Sequence, residues 1–129
     1  MSKGRIVAFV PDLFFSVRVA DVIRRLGYQP QIVERPDHFT AALDLQTGSL
    51  PLALVIVDMN APPQHWSQTV RDLKDDPERN YIPVLAFGSH LDVERQRLAR
   101  EAGCDRIVAN SKFHEALSTL INTMARDQE

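Results

Sequence analysis

The sequence of 129 residues has little of what most enzyme and membrane-protein classes require. It contains one cysteine, so we expect neither an internal disulfide nor a thiolate metal cage. Its five glycines form neither GxGxxG nor GxxxxGK, which argues against a dinucleotide- or triphosphate-binding enzyme. The longest apolar run, Leu52–Val57, is far shorter than the roughly 20 residues that span a bilayer. These absences favour an ordinary globular domain.

Neither sign of charge dominates the sequence. It has 17 acidic residues against 15 lysines and arginines, and no long run of like charge, which excludes a basic nucleic-acid-binding tail and an acidic solvating tail. The first residues lead into an apolar segment too short for the core of a signal peptide. We therefore predict one cytoplasmic domain over residues 1–129, with a core from about residue 5 to residue 124 and no membrane or nucleic-acid partner.

The apolar residues switch repeatedly between two periods along the chain. Short continuous runs predict strands, whereas spacings of three and four predict helices. The predicted strands are Ile6–Val10, Gln31–Val33, Leu52–Val57, Pro83–Phe87 and Ile107–Ala109. The predicted helices are one after Pro11 that ends at Gly27, one from Pro36 that extends to about Leu45, one that carries Trp66, Val70 and Leu73, one over Leu91–Ala102 before Gly103, and one that carries Phe113 to Met124.

Alternation of strands and helices predicts a parallel sheet with helices on both faces. Central strands are buried on both sides and need the richest apolar runs, which are the third, first and fourth. The weaker second and fifth strands suit the edges. The pattern thus predicts a doubly wound α/β domain, a flavodoxin-like three-layer sandwich with strand order 2-1-3-4-5.

In such a sheet, ligands and reactive groups collect where the strands end at their carboxyl termini. The polar residues at this edge are Asp12, Asp58, Gly88-Ser89-His90 and Asn110-Ser111-Lys112. Asp58 follows the most apolar strand directly, so it could attack phosphorus, bind a metal or anchor the next loop. The alternative is that Asp58 only caps the turn that leads to Pro62.

Three short motifs give the chain a resemblance to a known family. They are Asp58-Met59-Asn60-Ala61-Pro62, Ile82-Pro83-Val84-Leu85-Ala86 and Ala102-Gly103-Cys104, in this order and on the expected elements. From about Arg5 to Met124, the chain resembles the receiver domain of bacterial two-component response regulators. The resemblance implies a single receiver-like module that acts in phosphorelay or two-component signalling through protein contacts and is not an enzyme.

The resemblance implies a set of functional residues. Asp58 stands at the phosphoacceptor position, Ser89 and Lys112 are the candidates for contacting the phosphoryl group, and Asp12, Asp58 and Asn60 are the candidates for binding Mg²⁺. The implied partner is a histidine kinase, a phosphotransferase or an effector, or a second copy in a homodimer. Charge on the transferred phosphoryl group would be neutralised by the cation and the lysine.

Every expected partner of Asp58 is nevertheless missing or displaced. The acidic pair that binds Mg²⁺ in the family falls on Val10 and Pro11, the hydroxyl position falls on Gly88, and the lysine position falls on Asn110. The aromatic switch position falls on Ile107. One hypothesis is a pseudo-receiver whose Mg²⁺ binding is weakened or lost, because a slip of one residue turns a strand side chain away. The other is that bulges restore Asp12, Ser89 and Lys112 to the pocket. We favour the pseudo-receiver.

Other candidates have less support from the sequence. A small flavodoxin-like ligand-binding domain or enzyme could use the same edge, and this remains the alternative function. His65, His90 and His114 each fall near a strand end, so a metal site of His65, His90 and Asp58 is conceivable, but the spacing of these residues matches no metal-binding motif. Of the neighbouring Phe14 and Phe15, we expect one to face the core.

Overall fold

The structure is a computed structural model that describes residues 2–44 and 50–125. Within these ranges the chain alternates strands with helices, as its apolar periods predict. The strands are β1 (Arg5–Phe9), β2 (Gln29–Val33), β3 (Leu52–Asp58), β4 (Val84–Gly88) and β5 (Arg106–Ala109). The helices are α1 (Leu13–Arg25), α2 (Pro36–Ala42), α3 (Ser67–Asp75), α4 (Val93–Ala102) and α5 (Asn110–Met124), with a short 3-10 turn at Pro63–His65.

The five strands form one parallel sheet in the order β2-β1-β3-β4-β5. This confirms the predicted doubly wound arrangement. The ranking by apolar content also holds, because β1, β3 and β4 are buried throughout while β2 and β5 are partly exposed. The register places Asp58 beside Phe87, so the ends of β3 and β4 lie side by side.

Alternate residues of the central strands face two separate halves of the core. Val55 and Val57 face the side covered by α2, α3 and α4, whereas Leu54 and Ile56 face the side covered by α1 and α5. Side chains alternate along a strand, so Asp58 lies on the α1 and α5 side. The order of residues in β3 therefore decides which helices surround its carboxylate.

The starts of α3, α4 and α5 differ from the sequence-based bounds, and α4 begins at Val93 rather than at Leu91. Trp66 precedes α3 rather than lying within it, and its indole N–H donates to the carbonyl oxygen of Ala61 at 3.0 Å, which braces the loop after Asp58. Helix α5 begins at Asn110, directly after β5, so Lys112 lies in the first helical turn. The predicted extension of α2 to Leu45 lies outside the described residues.

Hydrogen bonds at the start of α1 fix where this helix begins beside the functional edge. Asp12 is the N-cap, and its Oδ1 accepts hydrogen bonds from the backbone N–H groups of Phe14 and Phe15 at 2.9 and 3.1 Å. Phe15 is half-buried and packs against the core, whereas Phe14 is 79% exposed.

Within the described residues, no helix has both the length and the apolar character needed to cross a bilayer.

Candidate functional site

Asp58 is the last residue of β3 and is only 6% exposed. A buried carboxylate needs hydrogen-bond donors, because its charge would otherwise be left without solvation. Asn60 supplies two of them: its backbone N–H and its side-chain Nδ2 donate to Asp58 Oδ1 at 2.9 and 2.8 Å. The loop after β3 thus folds back onto the carboxylate that precedes it.

The side chain of Asn60 also connects the three strand ends. Its Nδ2 donates to Asn110 Oδ1 at the start of α5, at 2.9 Å, and its Oδ1 accepts from the backbone N–H of Ser89 after β4, at 3.1 Å. The link between Asp58 and the end of β5 therefore runs through neutral amides. Asn110 takes the position at which the receiver resemblance expects a lysine.

Burial raises the pKa of Asp58 above the ordinary value for aspartate, because the ionised form loses solvation. The hydrogen bonds from Asn60 oppose this effect by stabilising the carboxylate, the nearby charge of Asp12 adds to it, and His114 opposes it. Because the pKa is raised on folding, the ionised carboxylate of Asp58 destabilises the folded state.

This cost predicts how Asp58→Asn changes stability with pH. The folded state binds a proton on Asp58 more readily than the unfolded chain does, so the contribution is most favourable at low pH and is lost as pH rises through the folded pKa. Asparagine cannot ionise, so we expect Asp58→Asn to raise Tm by a few degrees near pH 7. The difference should shrink as pH falls below the folded pKa. Thermal unfolding followed by circular dichroism across this pH range measures it.

Asp75→Asn, at an exposed position of α3, is the matched control and should change the free energy of unfolding by no more than about 0.5 kcal/mol. A lower Tm for Asp58→Asn at pH 7 would contradict the prediction, since it would mean that the ionised carboxylate is net stabilising.

Asp12 lies near Asp58 but is already engaged as the helix cap. Its charge contributes to the raised pKa of Asp58, yet its Oδ1 is bonded to two backbone N–H groups and the residue is exposed. Val10, where the family has an acidic residue, is fully buried in the core. The structure therefore brings one additional carboxylate near Asp58, where the family has a pair.

These donors fit a firmly held Mg²⁺ ion poorly. Mg²⁺ favours carboxylate oxygens in strict octahedral geometry, and Asp58 Oδ1 already accepts two hydrogen bonds. Across residues 2–44 and 50–125, no group of three or more histidine, cysteine, aspartate or glutamate side chains is placed to hold a metal ion. This finding also removes support from a metal site made of His65, His90 and Asp58. A Mg²⁺ site of Asp12, Asp58 and Asn60 stays a prediction.

The hydroxyl position of the receiver resemblance falls on Gly88, where the structure leaves no room for a side chain. A Cβ atom built on Gly88 would lie 2.6 Å from Met59 Cγ and 2.9 Å from Met59 Cε. Ser89, the next residue, uses its Oγ to accept from the backbone N–H of Leu91 at 3.2 Å. Lys112 is exposed. Met59 thus fills the space that a hydroxyl side chain at position 88 would need.

A double-mutant cycle tests this packing. Gly88→Ala should lower the free energy of unfolding by about 1–3 kcal/mol, the usual cost of overpacking a core, because the buried Met59 must move. Met59→Ala should be less costly in the Gly88→Ala protein than in the wild type, since it makes room for the new methyl group. Urea unfolding of the four proteins gives the coupling. Strictly additive effects would show that Met59 and position 88 do not compete for space.

An aromatic pair lies on the Asp58 side of the sheet. His114, in the first turns of α5, stacks on Phe15 with ring centroids 4.3 Å apart. Burial and the charge of Arg18 lower the pKa of the imidazole, while Asp58 and Asp12 oppose this change. The sequence placed His114 near a strand end, but its pairing with Phe15 depends on how α1 and α5 pack together, for which no local signal exists.

Comparisons with known proteins agree with the fold. No family model matches the chain. An uncharacterized 76.5 kDa protein from Thiocystis violacea is 22% identical over 124 residues, which are 96% of this chain and 17% of that protein. The chain therefore spans about a sixth of the length of the curated relative that it matches.

Several solved receiver structures superimpose on most of the chain. The receiver domain of a signal transduction histidine kinase from Syntrophus aciditrophicus has a TM-score of 0.78 at 21% identity, over 94% of this chain and 89% of that one. Chemotaxis protein CheY4 of Vibrio cholerae gives 0.76 at 14% identity, over 94% and 98%. A Pseudomonas aeruginosa histidine kinase receiver domain with Mg²⁺ in its active-site cleft gives 0.77 at 13% identity, over 94% and 96%.

Proposed function

We propose that this chain, which has the receiver fold, is a pseudo-receiver module that works in two-component or phosphorelay signalling through protein contacts. The observation that carries the proposal is the state of Asp58. The receiver resemblance assigns Asp58 to the phosphoacceptor position, yet Asn60 donates two hydrogen bonds to one of its oxygens. The positions that the resemblance assigns to the Mg²⁺-binding pair, the hydroxyl residue and the lysine hold other residues. The scaffold is retained, whereas the phosphorylation chemistry is weakened.

The chemistry of phosphoryl transfer explains this loss. A carboxylate oxygen of Asp58 would attack phosphorus while the bond from phosphorus to the donor atom breaks, and the donor leaves with the electron pair; that atom is a nitrogen in a phosphohistidine and an oxygen in acetyl phosphate. Charge on the transferred group must be neutralised for this step to be fast. Next to Asp58, the structure places the neutral amides of Asn60 and Asn110. Asp12 adds negative charge rather than removing it.

Exposed apolar side chains support a protein partner. Leu13, Phe14 and Val17 of α1 are 68%, 79% and 69% exposed, and Leu91 and Val93 near the start of α4 are 79% and 68% exposed. Large apolar groups gathered at a surface often mark protein contacts. A histidine kinase, a phosphotransferase, an effector or a second copy of the chain are the partner classes that the receiver fold suggests. The proposed site of action, together with these partners, is the cytoplasm.

The alternative, a small ligand-binding domain or enzyme, gains no support from the site. Such a domain needs an open cavity next to its reactive group. Met59 instead fills the space beside Gly88, and Asn60 spans the gap between Asp58 and Asn110. We therefore treat this function as an outcome that the experiments below would reveal, by a small molecule that remains bound after purification.

Phosphorylation of Asp58 by a small donor tests the proposal. The purified protein is incubated with acetyl phosphate, with and without Mg²⁺, and Asp58 is examined by intact-protein and peptide mass spectrometry. We expect weak or absent labelling. The residues around Asp58 fit Mg²⁺ poorly, and Asn110 stands at the lysine position, so little positive charge is available to neutralise the transferred group. Asp58→Asn, which cannot form the acyl phosphate, sets the background level.

Stoichiometric labelling that needs Mg²⁺ and disappears in Asp58→Asn would overturn the pseudo-receiver proposal. It would show instead that Asp12, Ser89 or Lys112 takes over the Mg²⁺-binding or phosphoryl-binding role of the displaced residues in solution.

A further inference from the structure

A stacked pair of rings joins the first turns of two helices on the side of the sheet that carries Asp58. Phe15 of α1 and His114 of α5 lie nearly parallel, at an angle of 26°. Hydrogen bonds anchor the main chain at both residues: the N–H of Phe15 donates to Asp12 Oδ1, and the carbonyl oxygen of His114 accepts from Arg18 Nη2 at 2.6 Å. The bond from Arg18 also joins α1 to the start of α5 beside the stacked pair.

The stacked pair lies next to the end of β3. The ring of His114 meets the edge of Phe87 with centroids 5.9 Å apart, and Phe87 is the register partner of Asp58. Asp58 and His114 lie close enough for the charge of each to affect the other's protonation. Asp58 is 6% exposed and faces the side of the sheet that α1 and α5 cover, so the stacked pair lies on the same side as its carboxylate.

The imidazole ring of His114 packs against three phenyl rings. Within the described residues, His114 Nδ1 is buried and has no hydrogen-bond partner. A buried polar atom without a partner costs folding free energy, so the ring is kept here by its contacts with Phe15, Phe87 and Phe113. A phenyl ring could make the same contacts.

We infer that Phe15 and His114 form an aromatic cover that restricts the access of reagents to the Asp58 carboxylate. The inference rests on the proposed function, in which Asp58 occupies an acceptor position that reacts poorly. The cover adds a steric cause to the chemical one: a phosphodonor must displace two stacked rings before it reaches the carboxylate. Phe14, adjacent in sequence but exposed, makes an edge contact with Phe15 and is not part of the cover.

Carbodiimide coupling measures access to Asp58 directly. The carbodiimide activates the carboxyl group, and glycine ethyl ester then displaces the urea and forms an amide, which peptide mass spectrometry detects. Asp21, an exposed carboxylate on α1, serves as the internal reference. We expect coupling at Asp58 to be slow in the wild type and several-fold faster in Phe15→Ala and in His114→Ala. Phe14→Ala, the matched control, should couple at the wild-type rate.

A conservative variant separates the cover from general loosening of the fold. His114→Phe keeps the stack and removes the unpaired nitrogen, so Asp58 should stay as slow to couple as in the wild type. Thermal unfolding and near-ultraviolet circular dichroism confirm that each variant is folded. If Phe15→Ala does not fold, the comparison of His114→Ala with His114→Phe decides. Equal coupling rates in these two variants, or in Phe15→Ala and Phe14→Ala, would overturn the cover.

Failure of the cover and failure of the proposed function are distinguishable. Carbodiimide coupling needs neither Mg²⁺ nor a phosphodonor, so it reports access alone. Stoichiometric phosphorylation of the wild type together with faster coupling in Phe15→Ala would refute the pseudo-receiver and keep the cover. Weak phosphorylation with equal coupling in all variants would keep the pseudo-receiver and refute the cover.

Discussion

The candidate site depends on the hydrogen bonds that Asn60 donates to the buried carboxylate of Asp58. A carboxylate at the end of a central strand is costly to desolvate, and two N–H groups of the next loop offset part of this cost. The same amide then reaches Ser89 and Asn110. One side chain thus connects the ends of β3, β4 and β5 through the hydrogen bonds of its amide group.

This neutral network has a functional consequence. In a site built for phosphoryl transfer, positive charge gathers around the acceptor before the reaction, whereas here amides take its place. Under the proposed function, a partner would recognise the surface of the domain in a single conformation that does not depend on phosphorylation. The exposed apolar residues of α1 lie at the same end of the molecule as Asp58, so a partner bound to α1 would contact the edge that carries the site.

The sequence predicts the order of strands and helices well, because runs and spacings of apolar residues indicate which segments are buried. Leu52–Val57 is apolar throughout and lies in the centre of the sheet, and Gly103 ends α4 with a φ of 105° that other residues seldom adopt. The sequence also indicates that the expected partners of Asp58 are displaced, because the distance between motifs is a count of residues along the chain. Spacing does not show which side chain fills a vacated space, and Met59 beside Gly88 emerges only from packing. The stack of Phe15 on His114 similarly joins two distant segments.

The most direct test of this account is a ¹³C NMR titration of the Asp58 carboxyl carbon, with and without Mg²⁺ at millimolar concentration. The account predicts a pKa above the ordinary value for aspartate, because burial dominates, and the same titration curve in both conditions. A clear decrease of the pKa on adding Mg²⁺ would contradict it, since this would show a cation bound at Asp58 and a site still equipped for phosphoryl transfer.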